Sequence, residues 1–145
     1  MTKSVVVANL LLLTFAASNT YAESAETLPG SSIARQVLAQ AALQENPGYS
    51  LTAVTVELEP GTTIDAHTHS GFVFAYVLEG TIRSKLNAGE AIDYQAGESW
   101  VEPSGTLHAL TQNPSRTEAA KFLAVFVAET DSRLTTMTMT SDSLE

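Results

Sequence analysis

From residue 50 onward, apolar and polar positions alternate with a period of two. Ser50–Leu58 sets Thr52, Val54, Val56 and Leu58 on one face and Leu51, Ala53 and Thr55 on the other. Successive side chains of an extended strand point to opposite faces, so this is the pattern of a strand with two different surroundings. Thr81–Leu86 repeats it, with Ile82, Ser84 and Leu86 against Thr81, Arg83 and Lys85. Shorter segments, Ala91–Gln95, Ser99–Glu102 and Thr106–Gln112, read the same way, and Phe72–Leu78 is an apolar, aromatic and β-branched run. Lys121–Ala128 (KFLAVFVA) is apolar on both faces and is predicted to be a central strand. Turn signals separate them: Asn46-Pro47-Gly48, Pro60-Gly61, Ala88-Gly89-Glu90 and Ala96-Gly97. Short strands at near-regular spacing predict an all-β sandwich or barrel, with no internal repeat and no second domain.

The two ends read differently. Lys3 precedes an apolar run, Val5–Ala17, and small residues follow up to Ala22. That run is shorter than the roughly 20 residues a membrane span needs. Residues 1–22 are therefore expected to be a secretory signal peptide cut after Ala22, which predicts an exported, periplasmic or secreted protein with no membrane segment after cleavage. Residues 23–32 read as a flexible leader, 33–130 as the folded domain and 131–145 as a tail with little packing signal beyond Leu134. Ile33–Gln44 fits either a helix, with Ile33, Val37, Ala41 and Ala42 on one face, or a strand.

Charge narrows the partners. The chain of 145 residues has 7 Lys+Arg against 16 Asp+Glu, and losing Lys3 with the signal leaves a formal −10. Such a balance disfavours nucleic acid and anionic lipid surfaces. There is no cysteine, so no disulfide staples the exported chain.

The chemistry lies in three histidines, all the chain has. His67-Thr68-His69 places two imidazoles on one face of a strand, whereas a helix would splay them by about 200°. His108 follows a Pro103-Ser104-Gly105 turn. Three neutral imidazoles suffice to hold one divalent transition metal, Zn, Fe, Ni, Cu or Co in preference to Mn, which favours oxygen donors.

These frames resemble the paired motifs of the cupin superfamily. The first motif runs G, five residues, H-x-H, three or four residues, E, six residues, G; Gly61, His67, His69 and Gly80 fall in register, with Val73 at the Glu place. The second runs G, five residues, P-x-G, two residues, H, three residues, N; Gly97, Pro103, Gly105 and His108 match, with Gln112 at the Asn place and Asn113 one residue late. Eight of ten diagnostic positions agree, over stretches of 20 and 16 residues separated by a spacer of 16. The resemblance implies a single-domain cupin β-barrel (a jelly roll) and favours a strand at Arg35–Ala41.

It also implies that His67, His69, His108 and position 73 face one metal. With Val73 there, Phe72, Phe74 and Tyr76 should face away, towards core or a dimer surface. The missing carboxylate needs a substitute, and Glu102, just before Pro103 and six residues ahead of His108, is the candidate catalytic residue, as ligand or general acid/base. Glu98 and Asp65 are weaker candidates. Trp100, in step with Glu102, is expected in the core or lining the cavity; Asn113 and Gln112 are placed to orient His108, while Asn113-Pro114-Ser115 also reads as an ordinary turn. The function implied is a metal-dependent enzyme acting on a small-molecule substrate, closer to the dioxygenase members than to oxalate-type decarboxylases; the other class is a non-catalytic ligand- or metal-binding module. Small members commonly pair through their sheets, which implies a homodimer.

Overall fold

The computed structural model describes residues 25–26 and 32–138. The expected signal peptide and most of the leader lie outside them. The described chain is all β: β1 Ala25–Glu26, β2 Ile33–Ala42, β3 Tyr49–Leu58, β4 Thr63–Ile64, β5 His67–His69, β6 Phe72–Glu79, β7 Thr81–Leu86, β8 Ile92–Gln95, β9 Ser99–Glu102, β10 Leu107–Gln112, β11 Ala120–Glu129 and β12 Thr135–Met137. Every pairing is antiparallel. The strands form two sheets, ordered β1-β2-β3-β11-β6-β9 and β12-β5-β10-β7-β8, with β4 on β10. Facing sheets of this kind make a jelly-roll β-sandwich.

Residue alternation decides which side of each strand is inside. On β6, Val73, Ala75 and Val77 are buried while Phe72, Phe74 and Tyr76 are exposed, as the position of Val73 implied. β11 lies between β3 and β6, the central place its two apolar faces predict. The core joins Leu58, Val77, Ile82, Phe122 and Trp100 across the two sheets. The ambiguous segment is the ten-residue strand β2, paired along β3 with a bulge between Val37 and Ala39. A helix there would have left the outer edge of β3 unpaired.

The tail departs from expectation. Thr135–Met137 is a strand, paired with His67–His69. Its residues are exposed, so they carry no alternation that would announce a strand. Backbone pairing, not side-chain burial, holds them.

Candidate metal centre

β5 puts His67 and His69 on one inward face, both buried, with ring centroids 4.9 Å apart. β10 brings His108 directly opposite His67 in the ladder, with centroids 5.0 Å apart. Gly105, at φ 77°, makes the turn before β10, and its N–H donates to the His69 carbonyl at 3.1 Å. A left-handed residue is cheap only for glycine, so this glycine ties the second motif to the first. Donor atoms of the three imidazoles all lie within 4.8 Å of one another.

Each ring is held from behind. His67 Nδ1 donates to the Asp65 carbonyl at 2.7 Å, and His69 Nδ1 to the Leu134 carbonyl at 3.0 Å. A carbonyl only accepts, so both Nδ1 atoms carry hydrogen and both Nε2 atoms keep a lone pair. That is the arrangement by which ligating histidines are oriented. Burial lowers the pKa of both rings, and this outweighs the backbone hydrogen bonds that would raise it, so both are neutral donors at neutral pH.

Val73 and Glu102 are cross-strand partners on β6 and β9. Glu102 is only 2 % exposed. Its Oε1 accepts from the Trp100 indole N–H at 2.9 Å and lies 3.1 Å from His108 Nδ1. Its Oε2 lies 3.7 Å from His69 Nε2 and has no hydrogen-bond donor. Burial would push this carboxyl up, but the His108 and Trp100 hydrogen bonds and the neighbouring imidazoles outweigh it and hold Glu102 below its ordinary value. It is a carboxylate at neutral pH. Facing it is His108 Nδ1, while Nε2 meets the hydroxyls of Ser84 at 2.8 Å and Thr111 at 2.9 Å: a hydrogen on Nδ1 goes to Glu102, whereas a hydrogen on Nε2 goes to either hydroxyl oxygen and leaves the Nδ1 lone pair for a cation.

The donor set fits a divalent transition cation. Two imidazole lone pairs, a third imidazole and a carboxylate converge in a buried place, and one carboxylate oxygen there is orphaned, which is costly unless a cation or donor completes it. The group opens on a cavity of about 370 Å³, at the small end of ligand pockets. Its walls are apolar, with Val54, Val56, Phe122 and Phe126 on one sheet and Leu134 and Met137 over the other side.

The other sequence candidates fall elsewhere. Asp65 is exposed and contributes only its carbonyl. Glu98 is exposed and accepts from the Gln95 N–H, closing a turn. Trp100 is core, against Tyr94 and Phe122, and reaches the site through its N–H and by an edge contact with the His108 ring, centroids 6.2 Å apart. The expectation for Asn113 and Gln112 is corrected. Asn113 is fully buried, but its amide donates to the carbonyls of Leu58, Glu59 and Glu118, and Gln112 bonds Thr63. Gln112 is turned away because a bulge between His108 and Leu110 shifts the strand's parity, whereas Asn113 is inward but lies past the end of β10, where those carbonyls occupy its amide. The same bulge brings Thr111 onto the face of His108, so the ring's support comes from Thr111 and Ser84, which sequence reasoning missed. A signal for Ser84 existed: a hydroxyl in the inward row Ile82-Ser84-Leu86. Leu134 stands out in the tail as an apolar residue, but its part in the site is played by its backbone carbonyl, which no side-chain pattern marks.

A jelly roll carrying three convergent imidazoles on neighbouring strands is the architecture of a cupin with a group that could hold a metal. Residues 54–126 match the cupin domain family (Cupin_2), and the chain belongs to it. No curated protein matches it. Solved structures share the fold at low identity. An RmlC-like cupin from Shewanella frigidimarina is 21% identical, with 76% of this chain and 87% of that one covered and a TM-score of 0.59. Oxalate decarboxylase from Bacillus subtilis is 24% identical over 80% of this chain and 30% of its own, with a TM-score of 0.62. The DMSP lyase DddQ from Ruegeria pomeroyi is 15% identical over 80% of this chain and 61% of its own, also at 0.62.

Proposed function

We propose that this protein is an exported, metal-dependent enzyme that acts on a small molecule within the cavity. His67, His69 and His108 hold one divalent transition metal (Zn, Fe, Ni, Cu or Co), and Glu102 is the acid/base carboxylate beside it. The observation that carries this reading is the orphaned Oε2 of a buried carboxylate among three imidazoles, on the floor of an apolar cavity. Such a metal would supply Lewis-acid activation of a bound oxygen.

The chain's own residues do the rest. Glu102 Oε2 is free to take or return a proton, while its Oε1 is fixed by Trp100 and His108. Ser84 and Thr111 fix the His108 ring, and the apolar walls keep bulk water from the carboxylate. The reaction is of dioxygenase or lyase type. The lyase branch gains weight from Glu102, which returns to the site the carboxylate that position 73 lacks, and from the similarity in fold to proteins named as an oxalate decarboxylase and a DMSP lyase.

Metal analysis of protein purified without an affinity tag tests the reading. About one divalent ion per chain is expected, and His67→Ala, His69→Ala or His108→Ala should each lower it sharply. Stoichiometric metal surviving two of these changes together sinks the assignment. On a turned-over substrate, Glu102→Gln should cut the rate by roughly 10²–10⁴ at unchanged fold.

A further inference from the structure

The inward rows of the larger sheet are not filled alike. Across β3, β11 and β6 one row reads Val56, Phe122 and Val77, and another reads Thr52, Phe126 and Val73, continuing onto β9 as Glu102. The row between them reads Val54, Ala124 and Ala75, then Trp100 on β9. Two directly paired alanines thus stand where the rows on either side hold a phenylalanine beside a valine. Both are buried, and both line the cavity. Same-face residues on a strand are about 7 Å apart, so the alanine pair leaves a hollow one row wide between Phe122 and Phe126. Neither ring falls into it. Phe126 is an edge partner of His69, centroids 5.2 Å apart, and Phe122 packs on Trp100 at 5.8 Å. Close-packed interiors leave few such voids, and this one adjoins an unsatisfied polar atom. Glu102, only 2 % exposed, belongs to the next row and lines the same cavity, and no hydrogen-bond donor reaches its Oε2.

We infer that this hollow is a ring subsite and that the cavity takes a small neutral aromatic compound carrying one hydroxyl, a phenol or a benzylic alcohol. The ring lies against the Ala75 and Ala124 methyls between Phe122 and Phe126, aromatic neighbours suited to edge-to-face contact. Its hydroxyl points to the adjoining row, where Glu102 Oε2 accepts the hydrogen. An anion would instead meet the buried carboxylate with like charge. Ala75 and Ala124 then set the size of the substrate, because a larger side chain at either position closes the hollow. The inference rests on the reading of the cavity as a substrate site and names its substrate class, but the ring subsite lies one row from Glu102 and needs no metal. The rival is that the hollow is loose packing that nothing occupies.

Methyl NMR titration with phenol and benzyl alcohol decides between them, beside toluene, which lacks the hydroxyl, and ethanol, which lacks the ring. It is run on zinc-loaded and chelator-treated protein. In the chelator-treated protein both ring alcohols are expected to shift the Ala75 and Ala124 methyls, with toluene and ethanol each binding about 10-fold more weakly or worse. Ala124→Leu, with Ala75→Val in its place should that variant not fold, should weaken the ring alcohols by about 10-fold or more. Zinc affinity, read by chelator competition, should stay as it was. Ring alcohols that leave both methyls unshifted at about 10 mM overturn the inference, and so does affinity untouched by these substitutions. Toluene binding as tightly as benzyl alcohol overturns the hydroxyl contact and with it the substrate class. Stoichiometric zinc without ring binding ends the subsite and leaves the metal-enzyme reading standing. Ring binding that Ala124→Leu abolishes, in a protein that holds no zinc, does the reverse.

Discussion

At the scale of single residues, the site turns on a pair. The family carboxylate position holds Val73, yet Val73 and Glu102 are direct cross-strand partners. Opposed side chains in an antiparallel ladder have Cβ atoms about 5 Å apart on the same face. Moving the carboxylate one strand sideways therefore delivers it to nearly the same space. If Glu102 serves the metal, Glu102→Val should weaken metal binding at least 10-fold, measured by competition with a chelator. It should also cost stability, because the Trp100 N–H, and His108 Nδ1 when it carries the hydrogen, lose their acceptor, at about 1–3 kcal/mol for each buried group left unpaired. Adding Val73→Glu to that variant should regain much of the metal affinity. Tight binding by Glu102→Val alone would relieve Glu102 of any part in holding the ion.

At the scale of elements, the period-two pattern was enough to read β3, β6, β7, β9 and β11, because each has one buried face or two. The histidine spacing and turn glycines likewise made the three imidazoles legible. What stayed hidden is of two kinds. The bulge in β10 reverses parity after His108, so Thr111 supports the ring, where the motif's Asn place points to Gln112 and Asn113. β12 is held by backbone bonds and has exposed side chains, and such an element leaves no hydrophobic trace. It is nevertheless part of the site, since the Leu134 carbonyl just before it fixes His69. Ending the chain at Arg133 should therefore lower metal affinity about 10-fold or more without unfolding the two sheets, as read by chelator competition and circular dichroism. Unchanged affinity would show that His69 holds its orientation unaided. The β5–β6 junction is stricter. A Cβ on Gly71 would run into the Val127 carbonyl oxygen and sit 2.6 Å from the Ala128 Cβ, so Gly71→Ala should destabilise by about 1–3 kcal/mol in urea unfolding, the usual cost of overpacking. A neutral result would mean that β11 can yield there.

At the scale of the whole molecule, two surfaces of the fold ask for a measurement. Phe72, Phe74, Tyr76, Leu78 and Val101 are all exposed on β6 and the edge strand β9, and Phe74 stands beside Val101 in the ladder. A contiguous apolar patch of this sort marks an association surface, so we propose a homodimer through it; light scattering at tens of micromolar should return twice the chain mass, and Phe74→Glu should return one. The other measurement is acid stability. His67, His69 and Glu102 all have pKa values held below their ordinary 6.5, 6.5 and 4.5. For each, the unfolded chain takes up protons first as pH falls, so stability rises with pH through these ranges. The imidazole contribution is complete above pH 6.5 and is lost as pH falls through the lowered folded values; the Glu102 contribution is complete above 4.5 and is lost below it in the same way. Because the chain has no histidine outside the site, the first stage reports the site alone. The urea midpoint of chelator-treated protein should fall between pH 7.5 and 5.5, and His67→Gln with His69→Gln should flatten that slope. Saturating metal should steepen it, since cation and proton compete for the same nitrogen lone pairs. A midpoint constant over this range in the metal-free protein would mean that the buried rings take up protons as readily folded as unfolded, and the neutral-donor account of the site would fall with it.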